Sequence, residues 1–192
     1  MNTPAHLIFG AAAFGKRRRP WVTTAAVAGS FLPDASLYFM VFWSRWVRGL
    51  SEQEIFGTAY YSEYWQNVFA IDNSVPLWFA ALFASAFFRN AIGVAFCGAG
   101  LMHLCLDFML HHDDGRMHFW PFSKWGFDSP VSYGDGSAYG HIVGPIEAVL
   151  CLILIVVLWS RHVRLWPRVL LVFAGLLELV PVLVFPFLFG LL

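Results

Sequence analysis

The sequence predicts an all-α membrane protein, a polytopic bundle of about five or six helices with two long loops on one face. Three observations carry this. Apolar residues make up 59% of the 192-residue chain and charged residues only 12%, about half the roughly 25% of a soluble domain. Mean hydropathy is +0.64. The apolar residues fall in runs parted by polar turns, and at roughly 20 residues per crossing they suffice for five or six spans. A soluble globular enzyme, a disordered chain and a nucleic-acid binder are thereby excluded. The formal net charge is zero, so no whole-protein field favours an anionic partner. One integral-membrane domain fills residues 1–192, with the lipid bilayer as its first partner.

Each segment has its own punctuation. The first covers about 4–15, where Thr3 suits an N-cap and Pro4 the first helical position. Some twelve residues reach only about 18 Å, so a short or partly inserted helix is expected. Lys16-Arg17-Arg18-Arg19 follows the apolar stretch instead of preceding it, unlike a signal peptide. The second segment covers about 21–43, with Asp34 its one charge and Pro33 a possible break, after which Asp34 could cap the second half. Segments three (about 74–88) and four (about 91–112) are joined by Arg89-Asn90 and should pack as an antiparallel pair. Segment five covers about 143–160. Segment six covers about 168–192, kinked near Pro181 and Pro186. Cys97, Cys105 and Cys151 lie in apolar runs and read as small buried residues, not a disulfide framework.

Basic residues set the orientation. With the 16–19 cluster in the cytoplasm, that side also gains Arg89, Arg161, Arg164 and Arg168, leaving Arg45, Arg48, Arg116 and Lys124 outside. The loop of about 44–73 is then outer. It carries a capping-box spacing, Ser51 to Glu54, and interfacial aromatics Tyr60, Tyr61, Tyr64 and Trp65. An interfacial lid is its simplest reading. The second outer loop, about 113–142, is rich in Gly, Trp and Phe, and loops this long are seldom passive. No P-loop, dinucleotide fingerprint or internal repeat is present.

The chemistry concentrates in LMHLCLDFMLHHDDGRMHFWPFS, Leu101 to Ser123. His103, Asp107 and His111 are spaced i, i+4, i+8 and share a helix face. His112, Asp113 and Asp114 follow, then His118. An ionisable His-x-x-x-Asp pair is costly in a membrane helix without a partner, and imidazole with carboxylate is a common donor set for Zn²⁺ and similar ions. A helix–helix hydrogen-bond cluster or a proton relay would use the same residues. In the assumed topology His6, Asp72, His103, His111, His112 and Glu147 all lie toward the outer side, so the polar residues converge on one face. Glu178, near the middle of segment six, is either a supporting partner or an unrelated polar contact.

Three stretches resemble a known family. TPAHLIFG, GSFLPDAS and GLMHLCLDF, the last followed by HFWPFS, resemble the motifs of the small bacterial integral-membrane proteins described as membrane-bound metal-dependent hydrolases, whose best-known member is under SOS control. The likeness spans about residues 3–125. It implies a multi-pass protein of the bacterial inner membrane and brings Asp34 into the site. Where the family has a Thr-His-Ser element, this chain has Asp72-Asn73-Ser74. Either Asp72 supplies a substitute oxygen ligand or one metal position is lost.

The leading expectation is therefore a hydrolase using a divalent metal, Zn²⁺ first, at the outer interface. His103 and Asp107 are its core ligands, with His6, Asp34, Asp72 and His111, His112 or His118 as further ones. Asp113, Asp114 or Glu147 serves as general base or orients the imidazoles. An amphiphilic, phosphoester-type substrate suits a site at the lipid boundary. The alternatives are a transporter or ion-handling protein, or an assembly factor whose polar residues only hold helices together.

Overall fold

The computed structural model describes residues 1–161 and 165–183. Among them the chain is helical, with no strand beyond an isolated Lys16–Arg19 bridge. The helices are α1 (Thr3–Phe14), α2 (Pro20–Trp46), α3 (Glu52–Glu54), α4 (Glu63–Asp72), α5 (Val75–Phe87), α6 (Ala91–Leu110), α7 (Gly140–Arg161) and α8 (Leu165–Leu183). Four stretches are long and apolar enough to cross a membrane: α2, the α4–α5 stretch Glu63–Phe87, α6 and α7. Arg164 and Pro186, used above for orientation and a kink, lie outside the described residues.

Local chemistry explains most boundaries. Prolines stand in the first turns of α1, α2 and α5, where no intrahelical N–H is needed. Ser74 caps α5 through the Leu77 N–H, and Asn90 caps α6 through Ile92 and Gly93. Arg89 takes the left-handed conformation, φ 51°, that reverses the chain between α5 and α6, and the two helices pack together. The Ser51–Glu54 capping box is formed in both directions. The loop it opens is a short α turn, a π turn (Ile55–Ala59) and then α4. Trp65 is buried there instead of facing headgroups, whereas Tyr61 and Tyr64 are exposed.

Two expectations change. The helix does not break at Pro33; α2 runs through it for 27 residues. Proline withholds one N–H and crowds the carbonyl four residues back, but α2 packs on α1, α4 and α6, and those contacts carry it across. Thr3 does not cap α1 either: Asn2 holds the N-cap position and the helix, of the short length expected, starts at Thr3. It packs on α2, α6, α7 and α8, and Ala5, His6, Ile8 and Ala11 are buried. Its small residues permit this: a Cβ on Gly10 would sit 1.8 Å from Ser30 Oγ. A third difference is minor. Cys97 and Cys151 are buried as expected, but Cys105 is exposed on α6.

The second long loop is strapped to helix ends. Ser129 and Tyr133 N–H groups donate to the carbonyls of His111 and Leu110, and Ser129 Oγ to that of Met109. These are terminal carbonyls that a helix leaves without intrahelical donors. At the loop's other end the Val75 N–H donates to His118 O, and Ser74 Oγ to Trp120 O. Between them Phe108 stacks on Phe127 and Phe119 on Trp125. The loop thus closes over the ends of α5 and α6.

Candidate metal centre

Asp107, in the penultimate turns of α6, is the hub. Its Oδ1 lies 2.8 Å from His6 Nε2, 2.9 Å from the Met1 amino nitrogen and 3.3 Å from His111 Nε2. Its Oδ2 lies 2.9 Å from His103 Nε2. Asp34 Oδ1 stands 3.7 Å from the same His103 nitrogen. The His6 and His103 rings stack, with centroids 3.5 Å apart and planes 14° from parallel. His6, His103 and Asp107 are all buried, and their donor atoms fall within 4.8 Å of one another.

The tautomer of His103 decides what this cluster suits. Its Nδ1 is 2.7 Å from Ser30 O. A carbonyl only accepts, so Nδ1 carries the hydrogen. In the neutral ring Nε2 is then a bare lone pair. That lone pair is buried and without a hydrogen bond, yet carboxylate oxygens stand 2.9 and 3.7 Å away. Lone pairs facing one another in a buried space repel unless a cation or proton lies between them. A carbonyl fixing one imidazole nitrogen while the other points at a shared centre is the usual support of a metal-bound histidine. The shortest donor separations, 2.8 and 2.9 Å, are hydrogen-bond distances, shorter than the about 3.3 Å between ligands of a tetrahedral ion. The donor types suit a divalent cation, and a shared proton satisfies the same group.

The other candidates divide around this hub. His111 is not on the α6 face; the helix ends at Leu110 and His111 is extended, φ −112°. It still reaches Asp107, and its Nδ1 is 2.9 Å from Asp114 Oδ1. Burial opposes charge on His111, but the Asp107 and Asp114 carboxylates outweigh it and push its pKa up to about 9. Asp34 is held by Thr3 Oγ1, which donates to Oδ2 at 2.5 Å and accepts from Tyr38 OH. Glu147 is buried beside the hub. Its Oε1 accepts the Asn2 N–H at 2.9 Å, and its carboxyl group lies against that of Glu178.

His118 is buried. Its Nδ1 donates to Arg116 O, and its Nε2 is unpartnered. Asp72 is half-buried and forms no hydrogen bond or ion pair with the Asp107 group among the described residues. Its neighbour Asn73 instead donates to Pro33 O at 3.2 Å, tying α4 to α2 beside Asp34. His112 and Asp113 gather with Asp135 in a second, more exposed group, with His112 Nδ1 donating to Ser129 O. Asp135 was not singled out from the sequence. Nor were the Ser30 carbonyl, Tyr38, the Asn2 N–H or Thr3 as a partner of Asp34, because backbone groups and hydroxyls carry no spacing signal.

One consequence concerns pH. Burial pushes His118 down to about 4, so the unfolded chain takes up this proton first as pH falls. The contribution is intact above about 6.5 and lost as pH falls toward 4. Stability in detergent should fall more steeply over that window in wild type than in His118→Gln. Equal slopes would show that His118 is not held neutral.

Compared with known proteins, the chain matches no protein-family model, no curated protein and no solved structure.

Proposed function

We propose that the protein is a membrane-embedded, metal-dependent hydrolase, as its motifs resemble, with a divalent ion held by His6, His103 and Asp107. The observation that carries this is His103 Nε2, a buried nitrogen with its hydrogen fixed on the far side and carboxylates in front of it. The His/Asp donors favour Zn²⁺. In this reading α1 and α8 join the four spans in the bilayer, α1 crossing about one leaflet. The basic turns then face the cytoplasm, and the centre lies inside a bacterial inner membrane and opens toward its outer face.

A bound divalent ion supplies Lewis acidity, which makes water a competent nucleophile near neutral pH and polarises a phosphoryl or acyl oxygen. The chain's own residues do the rest. Asp107 brings both histidines to one point, and Ser30 O fixes the ring of His103. Asp34, held by Thr3, stands at the open flank of His103. His111, gripped by Asp114, is placed to pass a proton to or from a leaving group, and the Glu147 carboxyl serves the same work. Asp113 is exposed and serves the second group. The aromatic loop over the end of α6 excludes water and favours an amphiphilic ester or phosphoester.

Metal content tests the reading. Protein purified in detergent without added metal should carry about one divalent ion per chain, and the His103→Ala/Asp107→Ala variant none while still folded. A metal-free wild type, even after metal is supplied, would falsify it. With metal present, a phosphoester and lipid-ester screen identifies the bond cleaved.

One observation favours a second reading. Glu147 and Glu178 are both buried, and their carboxyl groups lie against each other beside Asn2. Buried membrane carboxyls are typical of ion and proton paths. That reading expects flux in proteoliposomes that Glu178→Gln abolishes, without ester turnover.

A further inference from the structure

A groove of about 910 Å³ runs between α1, α2, α7 and α8. Its wall is apolar along its length, with Leu7 from α1, Val27 from α2 and Leu170 from α8. Its two ends differ. One is closed by Thr3 and Tyr38, the hydroxyl pair that supports Asp34. The other is ringed by Lys16, Arg17, Arg18 and Arg161. Lys16, Arg17 and Arg18 are exposed, and the Arg161 guanidinium is anchored on Ala12 O at 2.7 Å.

We propose that this groove is a binding site for one anionic phospholipid, with its phosphate at the Lys16/Arg17/Arg18/Arg161 end and an acyl chain along α1. The occupant follows from charge and length. Four cations at the mouth of an apolar cleft between membrane helices match a phosphate carrying hydrocarbon, and basic pockets of this kind hold anionic headgroups. A soluble anion would leave the apolar wall unfilled. A zwitterionic lipid would bring a second cation to a basic mouth. α1 has 12 residues and so extends about 18 Å. That is close to the roughly 15 Å of one leaflet, half of a 30 Å hydrocarbon core. The phosphate then sits at the headgroup level of the leaflet on the Lys16–Arg19 side, with the chain end near Thr3. The inference does not rest on the metal reading, since none of His6, Asp34, His103 and Asp107 is among the residues that line the groove.

Native mass spectrometry in neutral detergent tests it, with phosphatidylglycerol and phosphatidylcholine of the same chains and inorganic phosphate as the headgroup-only probe. Wild type should retain phosphatidylglycerol in preference to phosphatidylcholine, and phosphate should not displace it. Arg17→Ala/Arg18→Ala, at exposed positions, should weaken that retention by roughly fivefold for each charge removed. Thr24→Trp, which fills the groove from α2 without touching its charges, should weaken retention of both lipids. Equal retention of the two lipids in wild type overturns the proposal. So does displacement by phosphate, which would make the mouth a simple anion site. Unchanged retention in Thr24→Trp overturns it as well, by placing the lipid on surface charge alone. If the double variant does not fold, Thr24→Trp and the phosphate competition still decide the question.

Discussion

On the proposed metal reading, Asp107→Asn should release the ion and cost the fold about 3–5 kcal/mol, the loss expected when one partner of a buried charged cluster is neutralised. The substitution keeps the shape of the side chain and deletes only its charge. Three nitrogens lie against its Oδ1: the Met1 amino group, His6 and His111, at 2.8 to 3.3 Å. The asparagine amide offers one acceptor and turns an N–H₂ toward the others. Chemical denaturation in micelles, with and without chelator, separates the two parts of the effect. Wild type should lose stability when chelated; Asp107→Asn should be unresponsive, starting from the lower value. A variant that keeps its metal, or that loses less than about 1 kcal/mol, would show that Asp107 is an ordinary polar contact.

Why that carboxylate is the hub was only partly legible in the sequence. The i, i+4 spacing of His103 and Asp107 is a local property of one helix, and it survives folding. Their meeting with His6 depends on α1 packing between α2, α6, α7 and α8, which no spacing encodes. What pointed there was topology, since alternating the segments put His6 and His103 on one side. The same argument also gathered Asp72 and His112, and neither joins the hub. Asp72 closes α4 with its carbonyl on Trp78 Nε1, and His112 is turned away by its bond to Ser129 O. His111 fails the helical-face argument for a similar reason. Ser129 and Tyr133, some twenty residues on, capture the terminal carbonyls of α6 and end it at Leu110. Composition and hydropathy thus gave the all-helical class and four stretches apolar enough to cross a membrane, because hydropathy is carried by every residue. The partners of each polar group came from long-range pairing, which acts on a few.

Gly29→Ala is the other large effect, and it tests whether helix contact positions the centre. Gly29 lies where α2 crosses α6, and a Cβ there would stand 2.0 Å from Phe96 O, 2.7 Å from its C and 2.9 Å from its Cα. All three are backbone atoms, so no side chain can swing aside and the helices must part. Overpacking of this kind typically costs about 1–3 kcal/mol. The consequence for the centre follows from the next residue. Ser30 O holds His103 Nδ1, and five residues beyond Gly29 is Asp34, facing the other nitrogen of the same ring. Parting α2 from α6 stretches the bond that fixes the tautomer and withdraws Asp34. Loss of an orienting partner typically weakens metal affinity about 10–100-fold. On the proposed metal reading, Gly29→Ala should therefore bind the ion at least tenfold more weakly, although no donor atom is changed. Gly57→Ala, where a Cβ meets nothing within 4 Å, is the control and should leave both stability and affinity in place. If Gly29→Ala lowers stability but leaves metal affinity untouched, the centre is assembled by α1 and α6 alone, and Asp34 has no part in it.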